Sequence, residues 1–119
     1  MDLNVLSPEC CPPVTSAPLA GETANQLVAV FRALGDPTRL EIFRLIANQP
    51  DATCVCDVVS QFELTQPTIS HHLKVLREAG LVTVSRRGTW AYYAADPRGL
   101  VLLRGIPDQL KLAEVVTAS

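Results

Sequence analysis

Residues 65–82 read TQPTISHHLKVLREAGLV, and their pattern decides the fold. Ile69, Leu73 and Leu76 recur at i, i+4 and i+7, the spacing that stacks apolar side chains on one face of an α-helix. At about 100° per residue, Ser70, His71, Lys74 and Arg77 fall on the opposite side. Thr65 offers a capping hydroxyl, Pro67 suits a first turn, and Gly80 is a C-terminal stop. The stretch predicts a helix to Ala79 with an apolar inner face and a polar outer face. His72, at the edge of the apolar stripe, is expected to pack there.

The flanking sequence extends this into a recognisable arrangement. Upstream, a short helix is expected over about Cys54 to Gln61, separated from the first by the break FELT at 62–65. Downstream, LVTVSRRGTWAYYAA at 81–95 alternates as a β-hairpin does, with strands near 81–86 and 89–94 and a turn at Arg87-Gly88. Trp90, Tyr92 and Tyr93 are expected to serve the core and strand pairing. Earlier still, Leu27, Val30, Phe31 and Leu34 mark a helix from about Thr23 to Leu34. After Gly35 and the Asp36-Pro37 restart, TRLEIFRLIAN is apolar nearly all round (Leu40, Ile42, Phe43, Leu45, Ile46), which predicts a central, buried helix. From Asp96 the tail is expected to be helical, with an interruption at Gly105 to Pro107.

The expected fold is therefore mainly α with a small β-hairpin: a winged helix-turn-helix domain over 23–119, preceded by an arm over 1–22 that carries Pro8, Pro12, Pro13 and Pro18. The physics of such a unit points to double-stranded DNA. A major groove about 12 Å wide admits one helix, whose N-terminal side chains then meet base edges. Here that turn offers Thr65, Gln66, Thr68, Ser70 and His71, all hydrogen-bonding groups, with Arg86 and Arg87 at the hairpin tip. The formal net charge of −2 hides an uneven distribution: residues 1–64 carry −5 and residues 65–119 carry +3. The field near the contact, and not the sum, governs phosphate binding.

No apolar run approaches the ~18 residues of a membrane span, and MDLNVLSPECC lacks the basic start and apolar core of a signal peptide. A cytoplasmic protein is expected, with no membrane partner. The four cysteines fall in two tight pairs, PECCPP at 8–13 and DATCVCD at 51–57. In a reducing compartment such pairs point to metal or redox chemistry before disulfide bridging. No Cys-x-x-Cys stands beside a βαβ pattern, and no base or substrate pocket can be named, so an enzyme is not expected.

ALGDPTRLEIFRLI at 33–46, CVCD at 54–57, TQPTISHHLKVLREAGLV at 65–82 and RRGTWAYY at 86–93 together resemble the ArsR/SmtB family of metal-sensing repressors. The resemblance covers about residues 24–95. It implies a homodimer joined through the first and last helices, and repression of a metal-resistance operon, such as one for arsenical resistance, relieved by metal. It places duplex contacts, on an inverted-repeat operator, at Gln66, Thr68, Ser70, His71, Lys74, Arg86, Arg87 and Gly88. The family's arsenic sensors often carry a third cysteine three places after CVC, where this chain has Val59. The family's second site type uses Asp and His on the last helix, and this chain has no His after His72.

The metal expectation therefore falls on Cys10, Cys11, Cys54 and Cys56. The 14 residues from Cys11 to Asn25 can span at most ~46 Å, so the arm can fold back on its own subunit or on a partner. Trivalent arsenic takes three thiolates in a pyramid; Cys10, Cys11 and one of Cys54 or Cys56 suffice, with Cys54 preferred. As(III) is the expected inducer, with Sb(III) not distinguished from it. Four thiolates would instead suit Cd²⁺, Pb²⁺ or Zn²⁺. A thiol-oxidation sensor and an arsenic-handling metallochaperone are the rival functions.

Overall fold

A computed structural model describes residues 17–112. Four of its helices start at a side chain that accepts a backbone N–H of the first turn, which is what fixes their positions. Asp36 accepts from Arg39 N at 3.0 Å and opens α2 (Pro37–Ala47). Cys54 accepts from Cys56 N at 3.4 Å and opens α3 (Val55–Ser60). Thr65 accepts from Thr68 N at 3.4 Å and opens α4 (Gln66–Glu78). Asp96 accepts from Arg98 N at 2.9 Å and opens α5 (Pro97–Arg104). The first helix, α1 (Gly21–Leu34), begins two residues earlier than expected and has no side-chain cap. A last turn, α6 (Ile106–Gln109), follows the predicted break at Gly105.

The end of α4 sets the direction of everything after it. Gly80 N–H donates to Arg77 O and Leu81 N–H to Leu76 O, each at 3.0 Å, with Gly80 at φ 79°. This Schellman closure brings fully buried Leu81 against fully buried Leu76. The chain then leaves as β2 (Val82–Arg87), turns at Gly88, and returns as β3 (Trp90–Ala95). Val82 pairs with Ala95 and Arg87 with Trp90, so the strands sit one residue later than the sequence suggested.

A third strand was not expected. β1 (Thr53–Cys54) pairs antiparallel with β3, Thr53 opposite Tyr93 and Cys54 opposite Tyr92, giving the sheet order β1-β3-β2. The core lies between this sheet and the helices: Val30 and Ala33 of α1, Ile42, Phe43 and Ile46 of α2, Val55 and Val58 of α3, and Ile69, Leu73 and Leu76 of α4. Two expectations of burial fail. Phe31 is 48% exposed and Leu40 46%, because α1 and α2 are covered on one side only. Ala33 takes the inward place on α1 that Phe31 was expected to fill.

Candidate nucleic-acid interface and thiol pair

The apolar stripe of α4 is fully buried, which leaves the opposite face to solvent. On that face Gln66, Thr68, His71, Lys74 and Arg77 are exposed, and Ser70 is half-buried. The Thr65 and Thr68 hydroxyls lie 3.0 Å apart at the helix start. Five residues of loop and turn, Gln61 to Thr65, join α3 to α4, the spacing of a helix-turn-helix. His72, as expected, is not on the outer face: it is half-buried, and its Nδ1 meets an Arg39 guanidinium nitrogen at 3.3 Å.

The hairpin places its two arginines differently. Neighbours on a strand point to opposite faces, so Arg86 and Arg87 do not act as one patch. Arg87 lies over the Tyr92 ring, 4.4 Å from its centroid, which restrains the guanidinium. Gly88, at φ 65°, closes the exposed tip. Trp90, expected in the core, is 48% exposed and pairs with Arg87 on the outer face. The alternation carried the signal: with Ala91 and Tyr93 inward, Trp90 and Tyr92 must face out.

The cysteines at residues 54 and 56 share one helix start, where the Cys56 backbone N–H donates to Cys54 Sγ at 3.4 Å. Residues two apart inside a helix would diverge by about 200°, but Cys54 is the cap and stands outside α3 in extended backbone. Its sulfur is buried, whereas Cys56 is exposed. A hydrogen bond with the Cys54 thiol, then partial burial, push the Cys56 thiol above its ordinary pKa, so it stays protonated at neutral pH. Among the described residues no cluster of three or more His, Cys, Asp or Glu forms. Cys10 and Cys11 lie outside the described residues. No helix among them is long and apolar enough to cross a membrane.

A short helix, a tight turn, an amphipathic helix with its polar face free, and a hairpin with a basic tip define a winged helix-turn-helix DNA-binding protein. Comparison with known proteins agrees. Residues 36–84 match the model of the family described as "Bacterial regulatory protein, arsR family". An uncharacterised HTH-type transcriptional regulator of Methanocaldococcus jannaschii is 44% identical over 78 residues, covering 65% of this chain and 86% of that protein. The arsenic resistance transcriptional regulator ArsR1 of Pseudomonas putida is 39% identical over 99 residues, covering 72% of this chain and 77% of its own length. A crystal structure of a possible transcriptional regulator for arsenical resistance superposes with a TM-score of 0.61 at 34% identity, over 70% of this chain and 84% of the other. The chain belongs to the arsR family of bacterial regulatory proteins. It is a DNA-binding transcriptional repressor and not an enzyme.

Proposed function

We propose that this repressor grips an inverted-repeat operator as a homodimer and releases it when As(III) is captured by Cys10, Cys11 and one of Cys54 or Cys56. The observation that carries the reading is the cysteine pair at the start of α3, two sulfur donors on the helix directly before α4. Exposure makes Cys56 the readier donor of the two, the reverse of the preference for Cys54 drawn from sequence. Cys10 and Cys11, in the sequence before α1, supply the remaining sulfurs.

Proton balance favours the arsenical over a divalent ion. Arsenous acid carries three hydroxyls; each thiol forms an As–S bond, its proton leaves with a hydroxyl as water, and no net proton is released. A divalent cation must instead expel one proton per thiol into solvent. A thiol held protonated, as Cys56 is, hinders the second exchange and not the first.

Outward-facing Val28 and Phe31 on α1 and Val101 on α5 offer apolar surface for the dimer contact. A twofold pair would set two copies of α4 in successive major grooves, about 34 Å apart. Contacts to the duplex are assigned to Gln66, Thr68, Ser70, His71 and Lys74 in the major groove, and to Arg86, Arg87 and Gly88 on the wing. Drawing the arm onto residues 54–56 strains α3 against α4, and through the β1–β3 pairing it also reaches the wing. A coupling of about 1–3 kcal/mol is typical of such linkage.

Gel-shift titration with arsenite tests this on a duplex that the full chain enriches from a random-sequence pool. Wild type should release; Cys10→Ser with Cys11→Ser should bind and not release. Complexes that persist at saturating arsenite overturn the reading. X-ray absorption on the loaded protein then counts sulfur neighbours: three for the arsenical, four for a divalent ion.

A further inference from the structure

We propose that Arg39 is a positioning residue for the reading helix: it braces His72 of α4 against the carbonyls that end α1, and the brace holds only while His72 is neutral. The proposal rests on the reading of α4 as the duplex-contacting helix.

Arg39 stands in the first turn of α2, and its guanidinium serves three elements at once. Its Nε donates to the Ala33 carbonyl at 2.7 Å, and one terminal nitrogen reaches the Arg32 carbonyl at 3.5 Å. Both acceptors lie in the last turn of α1, where the helix end carries partial negative charge; the Arg32 carbonyl also accepts the Gly35 N–H at 3.3 Å. The other terminal nitrogen meets His72 Nδ1 at 3.3 Å. Among the described residues this is the one side-chain hydrogen bond joining α4 to another helix. His72 sits between His71 on the outer face and buried Leu73 on the inner, so the brace acts on the middle of the reading surface.

Arginine only donates. The contact therefore needs a bare Nδ1, which puts the proton of the neutral imidazole on Nε2. Protonation converts the acceptor into a donor and leaves two cations 3.3 Å apart. The charged groups bearing on His72 are Asp36 and Arg39 from the start of α2 and His71 from α4, its ring centroid 5.9 Å away. Burial disfavours the imidazolium most; Asp36 favours it, while Arg39 and His71 oppose it. Once His72 charges in acid, the brace is lost and α4 can rock on its apolar face.

The test uses the full chain and a duplex enriched from a random-sequence pool at pH 8, with Kd measured from pH 8 to 5.5. His72→Gln gives Arg39 a carbonyl oxygen and carries no charge; His72→Leu fills space and accepts nothing. At pH 8 the Gln variant should bind within about threefold of wild type, and acidification should weaken wild type about five- to tenfold more than it weakens Gln. The Leu variant should be weaker at every pH. Nitrogen-15 NMR of neutral His72 should place its proton on Nε2. Parallel pH profiles of wild type and Gln, a Leu variant as tight as wild type, or a proton on Nδ1 overturns the brace. Failure to enrich any duplex overturns the reading of α4 instead, and the NMR measurement then decides the Arg39–His72 contact by itself.

Discussion

Gly99 lies inside α5, where replacement by alanine ordinarily stabilises a helix by about 1 kcal/mol. Here the opposite is expected. A Cβ at Gly99 would drive into the Gly80 carbonyl oxygen, nearer than real carbon atoms approach, and would stand 3.1 Å from Leu81 Cα and 3.3 Å from Gly80 C. All three are backbone atoms. Gly80 cannot yield easily, since its φ of 79° and the Schellman bonds fix the exit from α4. Overpacking against a rigid wall costs about 1–3 kcal/mol, occasionally more. After the propensity gain is subtracted, Gly99→Ala should lose up to about 2 kcal/mol. For a domain of this size each kcal/mol lowers Tm by roughly 4–8 °C. Thermal unfolding at fixed protein concentration measures it, with an exposed-helix control such as Gln26→Ala run alongside. A Gly99→Ala protein that melts at or above the wild-type temperature would refute the close seating of α5 on the α4–β2 junction.

Three further outcomes follow from the same geometry. In weakly buffered solution, titration with arsenite should release no net protons while Cd²⁺ releases about one per bound thiol, read with a pH indicator; equal release by both would remove the case for the arsenical. Lys74→Ala should lower the slope of log affinity against log salt by about 1 if Lys74 meets a phosphate, and an unchanged slope would take it off the interface. Acid stability should fall in two stages. The His72 pKa is lowered on folding, chiefly by burial, so the unfolded chain protonates first and stability drops below about pH 6.5. The Asp36 carboxyl is held low chiefly by the Arg39 N–H, and Asp96 chiefly by the Arg98 side chain. Their contribution is present above about pH 3.9 and disappears as pH falls through their folded values. Urea melts across pH should show both stages in wild type and only the second in His72→Gln.

What could be read from sequence was whatever announced itself locally. In α4 the period, the Thr65 cap, Pro67 and the Gly80 stop all agree, so the helix and its two faces were legible. The hairpin was legible from its alternation, but its register was not, and a one-residue shift decides whether Trp90 is core or surface. β1 left no trace because two residues cannot show a period, and their partners on β3 lie about forty positions away. Cysteine is an unusual N-cap, so the sequence could say only that Cys54 and Cys56 need a departure from regular helix to share an ion, and not that Cys54 stands outside α3. The Arg39–His72 contact spans 33 positions, and neither residue breaks a local rule that would flag it.

The seating of α4 is uneven, and this decides what a pull on residues 54–56 can do. Its C-terminal end is locked: Leu76 and Leu81 are fully buried, the Schellman bonds are short, and α5 presses on Gly80. The N-terminal end is soft, since Leu64, Thr65, Gln66, Pro67 and Thr68 are all exposed and the cap bond is long at 3.4 Å. On the proposed release, a force applied through α3 would turn α4 about its C-terminus. Thirteen residues make a lever of about 18 Å, so a rotation of only about 5° carries Gln66 some ~1.5 Å. A base-edge hydrogen bond displaced that far is broken, while Leu73 and Leu76, nearer the pivot, move less. The strain would then fall on fully buried Ile69 near the soft end and not across the core, which suits a linkage of about 1–3 kcal/mol.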